Sequence, residues 1–397
     1  MTYAPARMRF GIFLAPFHRV GENPTVALDR DLELIELLDK LDFDEAWIGE
    51  HHSAGWELIA SPELMIAAAA QRTKTIKLGT GVSSLPYHHP FILADRMVQL
   101  DHMTRGRAMF GVGPGALTSD AYMLGIDALT QRQRMDEALG VILRLFRGET
   151  VTHESDWFTL REARLQIAPY THPHMPVAVA SSFSPAGPQA AGKYGVGVLS
   201  VAVSQPGGMI SLSRTWDMAQ EAADKANQTI SRDDWKLVMP IHIAETREEA
   251  IADVDNGSQR FNKDYFEDTL GRPADPSVKG DMESQIERGG AIVGSPDDAI
   301  AAIERMQEMS GGFGGLLGMA HEWTSWEKTK RSYELFARYV APKFQGQLGR
   351  ISESQEYVSG HRTTIFGPNA AAIGKAFIDG GVQLPAPMLE RMQRGNT

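Results

Sequence analysis

Short apolar runs alternate along the chain with segments whose apolar residues recur at helical spacing. Residues 135–146 show this most clearly, since their apolar side chains follow the i, i+4, i+7, i+8 and i+11 spacing of one helix face. Almost continuously apolar strands, each followed by such a helix, indicate a parallel sheet covered by helices. The predicted strands are residues 8–14, 45–49, 76–82, 108–113, 177–180, 195–201, 237–244 and 315–319.

Eight strand–helix units are the number found in a closed (β/α)8 barrel, the TIM-barrel form of the α/β class, and we expect that fold. An open α/β sheet is the alternative. Residues 255–290 are charged and interrupted by Gly and Pro, which predicts an insertion between strands 7 and 8. The barrel is expected to span residues 1–345, and residues 346–397 to form a C-terminal extension with a small helix near 370–377.

The composition narrows the choice of partners and compartment. A net charge of -11 repels phosphate backbones and anionic lipids, so we expect neither nucleic acid nor a membrane surface as a partner. The absence of cysteine excludes disulfides, thiolate metal sites and cysteine nucleophiles. No apolar run of about 18 residues and no signal-like segment occur, so we expect a cytoplasmic protein.

Polar or glycine-rich segments follow four of the predicted strands. In parallel α/β folds the ligand site lies at the carboxyl ends of the strands. The segments therefore predict a polar pocket over an apolar floor, the usual form of a cofactor site. They are Glu50-His51-His52 and residues 83–89, 113–115 and 181–184.

The histidines of these segments allow a metal site or a structural role. His51, His52, His88 and His89 could surround a divalent ion, as in a metallohydrolase. Neighbouring residues of an extended backbone point to opposite sides, however, so His51 and His52 are not expected to bind one ion. No H-E-x-x-H motif is present. We expect no metal, and a hydrogen-bonded structural role for His52 and His89.

The glycine and serine segments suggest a flat ligand that carries an anion. Residues 111–115 lack the glycine spacing of a dinucleotide fingerprint, and Pro114 removes a backbone donor. At Gly113 no side chain protrudes, so a flat ring could lie against the strand, although a simple turn is the alternative. Ser181, Ser182 and Ser184 precede a predicted helix, whose amino terminus can bind a phosphate without a basic side chain. Simple N-capping by Ser184 is the alternative there.

Five motifs run in a fixed order through the first half of the chain. They are WIGEHH at residues 47–52, the segment at 72–81, LPYHHP at 85–90, LDHMTRGR at 100–107 and FGVG at 110–113. In this order they resemble the bacterial-luciferase-like family of flavin-dependent monooxygenases, and the resemblance covers residues 8–245 best. The first half looks most like members labelled limonene monooxygenases, a hint towards an apolar substrate.

The resemblance implies roles for individual residues. His51 corresponds to an active-site histidine near the reacting edge of the flavin. Gly81-Val82 corresponds to a cis peptide bond beneath the isoalloxazine ring, and Pro114 replaces an arginine that contacts phosphate in luciferases. The implied cofactor-binding positions are Gly81, Val82, Gly113, Asp120, Ala180, Ser181, Ser182 and Ser184.

The implied activity is that of a two-component monooxygenase. A separate NAD(P)H:flavin reductase would supply reduced FMN (FMNH2), which would react with O2 to form a flavin C4a-hydroperoxide that oxygenates a small apolar molecule. His51 would assist proton transfer, and residues 255–290 are the candidate lid that excludes water. The resemblance also implies a homodimer. The alternatives are an F420-dependent oxidoreductase of the same barrel family and a non-enzymatic flavin-binding protein.

Overall fold

The computed structural model describes residues 2–15, 17–182, 184–204, 208–209, 211–272, 280–383 and 385–386. The chain divides into two compact units, Met1–Ala341 and Pro342–Thr397. Phe183 of the predicted phosphate segment and residues 273–279 of the predicted insertion lie outside the described residues. So do residues 384 and 387–397 of the predicted extension.

Eight parallel strands of the first unit close into a barrel. Around the ring they follow the order β1-β2-β3-β4-β7-β8-β9-β11, and β11 pairs with β1 to complete it. The closed (β/α)8 barrel is therefore confirmed, and the open sheet is excluded. The strands are β1 (Arg9–Leu14), β2 (Glu45–Ile48), β3 (Lys77–Ser84), β4 (Ala108–Gly113), β5 (Val151–Glu154), β6 (Thr159–Ala163), β7 (Val177–Ser181), β8 (Gly197–Ser200), β9 (Trp235–Ile243), β10 (Ile292–Gly294) and β11 (Gly315–Met319).

Helices follow the barrel strands, and several begin at a proline. Proline suits the first helical position because its missing N–H would have no partner there. The helices are α1 (Pro24–Lys40), α2 (Pro62–Arg72), α3 (Pro90–Thr104), α4 (Thr118–Met123), α5 (Gln131–Phe146), α6 (Ala186–Tyr194), α7 (Leu212–Ala226), α8 (Arg247–Phe261), α9 (Met282–Glu287), α10 (Pro296–Ser310), α11 (Trp326–Leu335), α12 (Ala341–Phe344), α13 (Gly349–Gly360) and α14 (Arg362–Asp379). Short 3-10 helices span Leu85–Tyr87 and Arg232–Asp234, and π-helices span Asn262–Thr269 and Phe336–Val340.

The barrel interior is filled by apolar side chains arranged around Trp47. Glycines make room for this indole, because a Cβ added at Gly79 or at Gly111 would lie 2.8 or 2.9 Å from its ring atoms. The buried cluster comprises Trp47, Met109, Ala178, Leu199, Val238 and Leu317. Four partly buried side chains pack against the cluster, namely Phe13, Val82, Val201 and Met319. We call these four residues the apolar floor.

The amino end of the barrel is closed by buried charges. Glu45 lies 3.3 Å from Arg9 Nε and 4.0 Å from Lys236 Nζ, and it accepts a 2.8 Å hydrogen bond from Trp47 Nε1. Burial lowers the pKa of Lys236. Ion pairs and packing thus occupy this end, and the carboxyl end of the strands is left for ligands.

The predicted insertion between the seventh and eighth barrel strands has a different structure from the one we expected. Helix α8 begins after the Thr246 cap, runs to Phe261 and continues as the π-helix Asn262–Thr269. The first part of residues 255–290 therefore extends a helix. Strand β10 then pairs with β9, and α10 follows it. Neither was predicted, since β10 has only 3 residues and gives no periodic signal.

Other differences lie outside the barrel repeat. The β5–β6 hairpin and helix α4 were not predicted. Within the second unit we expected one small helix near residues 370–377 between Gly and Pro breaks, but α13 and α14 cover most of the described residues and Pro368 lies inside α14. A proline removes one helical hydrogen bond without necessarily ending the helix. Among the described residues, no helix is long and apolar enough to cross a membrane.

Candidate active site

The carboxyl ends of β3, β4 and β7 form one surface without large side chains. A Cβ added at Gly113 would lie 2.7 Å from Val82 Cγ2 and 3.6 Å from Ala180 Cβ. We call Gly113, Val82 and Ala180 the Gly113 surface. The Gly81-Val82 peptide bond is cis, which confirms the geometry that the resemblance implied. A flat group could lie against this surface, since glycine leaves the backbone open to close approach.

His51, which follows β2, lies between two buried carboxylates. Its Nδ1 is 3.0 Å from Asp120 Oδ2, and its Nε2 is 3.2 Å from Glu57 Oε2. The side chains of Asp120 and Glu57 belong to residues only 1% and 7% exposed. The backbone N–H of His51 also donates to the carbonyl of Ile59 at 3.0 Å, which fixes the main chain. Both ring nitrogens are therefore held in place.

The charges around His51 favour its protonated form. Burial opposes protonation, but the hydrogen bond to Asp120 and the attraction of Glu57 and Asp120 outweigh it and raise the pKa of His51. Burial acts against ionisation of Asp120 as well, yet the hydrogen bonds from His51 and Ser53 lower its pKa. At Glu57 burial dominates and raises the pKa of the carboxyl. The imidazole is thus placed to hold and exchange a proton.

Glu50 links the other histidines of the rim. Its Oε1 lies 3.0 Å from His52 Nε2 and 2.8 Å from His88 Nε2, and its Oε2 accepts from the Ser84 N–H at 2.7 Å. Burial raises the pKa of Glu50, but these hydrogen bonds outweigh burial and lower it. His51 and His52 therefore turn to different carboxylates, as strand alternation predicted. Glu50 and His52 support the loops of the rim.

A second cluster of charged groups lies beside the loop after β1. His18 Nε2 is 3.0 Å from Asp31 Oδ2, and His18 Nδ1 is 2.9 Å from Glu322 Oε1. Burial opposes protonation of His18, but both hydrogen bonds outweigh it and raise the pKa to about 9. Donor atoms of His18, Glu22 and Glu322 lie within 4.8 Å of one another. The Arg30 guanidinium pairs with both glutamates and offsets part of their charge.

The predicted phosphate segment lies at the amino terminus of α6. Ser184 Oγ accepts from the Ala186 N–H at 3.2 Å, but the N-cap of α6 is Pro185 and not Ser184, so the N-capping alternative is not what the structure shows. Ser181 Oγ is buried and has no hydrogen-bond partner in the part of the chain that the structure describes. Ser182 is exposed. Arg132 Nε donates to Ser184 Oγ at 3.3 Å, so a guanidinium stands at this helix terminus.

Arg132 was not predicted from the sequence, because a basic residue for the phosphate was considered only at the position of Pro114. Arg132 belongs to the first turn of α5. A helix that follows a barrel strand begins near the carboxyl rim, so its first-turn residues are close to the ligand end. The place of Arg132 in the first turn of a helix was thus the sequence signal that could have identified it. Glu57 was missed for a different reason, since nothing in the linear sequence marks it as a partner of His51.

An aromatic cluster joins the loops after β1 and β2 to the π-helix Asn262–Thr269. The ring of Phe17 packs edge-on against Tyr265 at 5.2 Å, and the ring of Trp56 lies 5.6 Å from the same tyrosine. The hydroxyl of Tyr265 donates to Glu57 Oε1 at 2.9 Å. We call Tyr265, Glu57, His51 and Asp120 the His51 network. Phe17, for which the sequence suggested no role, thus packs against a member of this network.

Comparison with known proteins identifies the family of this barrel. The model of the luciferase-like monooxygenase family matches residues 8–311. The chain belongs to that family. It is accordingly a flavin-dependent monooxygenase, an oxidoreductase.

Three relatives of this monooxygenase are informative. Limonene 1,2-monooxygenase of Rhodococcus erythropolis is 49% identical over 88% of this chain and 90% of its own length. The 4-hydroxyprotoasukamycin monooxygenase of Streptomyces nodosus subsp. asukaensis is 47% identical over 89% of this chain and 96% of its own. The oxygenating constituent of 3,6-diketocamphane monooxygenase from Pseudomonas putida, solved in complex with FMN, is 26% identical, with a TM-score of 0.71 over 85% of this chain and 99% of that one.

Proposed function

We propose that this monooxygenase is the oxygenating component of a two-component system. It would bind reduced FMN delivered by a separate NAD(P)H:flavin reductase, use O2, and add one oxygen atom to a small apolar substrate. The observation that carries the proposal is the pairing of the Gly113 surface with an anion-binding helix terminus on the same barrel rim. A flat ring with a phosphate tail requires both features.

The residues at the rim fit FMN. Its ring would lie against Gly113, Val82 and Ala180, where a larger residue at position 113 would occupy the space. Its phosphate would meet Ser181, Ser184 and Arg132 at the positive end of α6. The Ser181 hydroxyl, buried without a partner among the described residues, would gain one there. Bound reduced FMN would supply the electrons that activate O2.

His51 would move the proton that this chemistry requires. Asp120 holds Nδ1, so Nε2 is the atom that gives up or takes the proton. Both carboxylate oxygens of Asp120 accept hydrogen bonds within the protein, Oδ2 from His51 and Oδ1 from the His52 N–H. We therefore assign Asp120 to positioning His51, although the resemblance implied that it binds the cofactor. The raised pKa of His51 favours the protonated imidazole, the form that donates a proton.

The apolar floor supports an apolar substrate. Phe13, Val201 and Met319 are partly buried, so an apolar molecule above them would displace water that makes no good hydrogen bonds there. The relative with 49% identity is named for limonene, a hydrocarbon. We propose limonene as the probe substrate. We also propose that the protein assembles as a homodimer, as the resemblance to the family implies.

The experiment compares cofactor binding and product formation in matched variants. Anaerobic titration should show binding of reduced FMN in preference to reduced F420, and admission of O2 with limonene should give an oxygenated product. His51→Gln should retain reduced FMN and lose about 10²–10⁴-fold in product formation, the range for a positioned proton-transfer group. His153→Gln is the control, since His153 also pairs with a carboxylate, Glu137 at 2.7 Å, outside the site. Preference for F420, or full product yield from His51→Gln, would contradict the proposal.

A further inference from the structure

We infer that Glu57 and Tyr265 are positioning residues that keep His51 Nε2 protonated and in place from the side opposite Asp120. The inference rests on the proposed function insofar as His51 transfers the proton. It adds two residues to the site, and one of them, Tyr265, belongs to the π-helix that follows α8.

The geometry leaves the Glu57 carboxylate little freedom. Its Oε1 accepts from the Tyr265 hydroxyl at 2.9 Å, and its Oε2 lies 3.2 Å from His51 Nε2. Glu57 is 7% exposed and Tyr265 is 3% exposed, so water does not compete for either group. An antiparallel bridge between Phe17 and Glu57 fixes the backbone beneath the carboxylate. Rotation of the carboxylate would break both side-chain contacts at once.

The charges around His51 make Glu57 a proton partner. The charges of Asp120 and Glu50 also raise the pKa of His51, and His51 in turn opposes protonation of the neighbouring His52. While Glu57 is ionised, its Oε2 accepts the hydrogen bond from Nε2–H and stabilises the imidazolium. When Nε2 gives up that proton to the reaction, the carboxylate favours its replacement. Oε1 keeps the hydrogen bond from Tyr265 in both states.

Tyr265 connects this exchange to a distant part of the chain. It lies 208 residues beyond Glu57, and its ring is held against Phe17 and Trp56. Burial and the neighbouring Glu57 raise the pKa of Tyr265, so its hydroxyl remains a donor throughout the neutral range. Any displacement of the π-helix that removes Tyr265 leaves the carboxylate of Glu57 without one partner. The position of the π-helix therefore affects the protonation of His51 through Glu57.

The test is an NMR titration of His51 in the cofactor-free protein, assigned by the signal missing from His51→Gln. Glu57→Gln keeps an acceptor for Tyr265 but removes the negative charge, so the pKa of His51 should fall. Tyr265→Phe should lower it less, because the carboxylate is retained. Glu137→Gln is the matched control, since it removes a carboxylate that contacts His153 and Trp157 outside the site and should leave the His51 titration unchanged.

Each result distinguishes this inference from the proposed function. The alkaline limb of the pH profile for product formation, where the imidazolium is lost, should move to lower pH with the titration. Glu57→Gln should lose roughly tenfold in rate, part of the 10²–10⁴ range for proton transfer. An unmoved His51 titration in both Glu57→Gln and Tyr265→Phe would overturn the inference while leaving the function intact. A shifted titration in a protein that does not bind reduced FMN would support the inference and refute the function. If Glu57→Gln does not fold, the His51 titration in Tyr265→Phe alone decides whether the inference holds.

Discussion

Gly111 and Gly113 lie two residues apart on β4, yet an added methyl group should have different effects at the two positions. At Gly111 it should lower the stability of the fold, and at Gly113 it should weaken the binding of reduced FMN. At Gly111 the new Cβ would meet the Thr80 carbonyl oxygen at 2.1 Å and the buried Trp47 ring at 2.9 Å. Neither can move, because one is main chain and the other fills the barrel. We expect Gly111→Ala to lower the free energy of unfolding by about 3 kcal/mol or more, the upper part of the range for overpacking.

At Gly113 the same methyl group would meet only the end of a side chain. Val82 Cγ2 lies at 2.7 Å and Ala180 Cβ at 3.6 Å, and Val82 is only partly buried, so a side-chain methyl group has to shift rather than the main chain. The overpacking cost should therefore be about 1 kcal/mol, partly offset by the lower entropy of the unfolded chain. The methyl group would occupy the place of the flavin ring, however. One misplaced methyl group costs about 1–3 kcal/mol of binding, so reduced FMN should bind roughly 10- to 200-fold more weakly.

Two measurements decide this prediction. Urea unfolding followed by tryptophan fluorescence gives the stability of both variants, and anaerobic titration gives the affinity for reduced FMN. The expected outcome is a destabilised Gly111→Ala and a folded Gly113→Ala with weakened binding. Unchanged affinity in Gly113→Ala would refute the placement of the ring. A Gly111→Ala protein as stable as the wild type would refute the steric argument itself.

Two further predictions concern Ser181 and His18. Ser181→Ala should leave the melting temperature unchanged or raise it, because the buried hydroxyl has no partner among the described residues. Reduced FMN should bind about fivefold more weakly, which corresponds to about 1 kcal/mol for one hydrogen bond. A large loss of thermal stability would contradict the expected effect on the melting temperature. The raised pKa of His18, about 9, means that its stabilising contribution is complete below pH 6.5 and is lost as the pH rises through 9. The free energy of unfolding from urea titrations should fall by about 3 kcal/mol across this window. His18→Gln should remove this decrease in the free energy of unfolding. An equal decrease in the wild type and in His18→Gln would show that other groups cause it.

The barrel could be predicted from the sequence because its strands carry a strong local signal. The Ala108–Gly113 and Gly315–Met319 strands begin and end where the apolar runs predicted. The helix face predicted at residues 135–146 lies within α5, Gln131–Phe146, and ends at the same residue. In each case burial on both faces, or on one helix face, leaves a pattern that can be recognised without knowing any partner. Short elements such as β10 leave no such pattern.

The site could be predicted only where its residues follow strands. His51, Gly113 and Ser184 lie at a strand end or within three residues of one, so the parallel topology alone brings them to one rim. Glu57 and Tyr265 depend on tertiary contacts between segments 208 residues apart. Asp120 was placed near the site by resemblance, but its hydrogen bond to His51 follows from how α4 packs, which the sequence pattern does not encode.

Tyr265 has a consequence for efforts to redirect the enzyme towards other molecules. The π-helix Asn262–Thr269 is the kind of peripheral segment that protein engineers exchange between relatives to change what an enzyme accepts. In this chain such a graft would also exchange the hydroxyl that holds Glu57, two contacts from the imidazole. A chimera with a well-shaped pocket and no tyrosine at this position would bind its new compound and turn it over poorly. A transplant of this segment must therefore retain a tyrosine at position 265 if the proposed link to His51 is to be preserved.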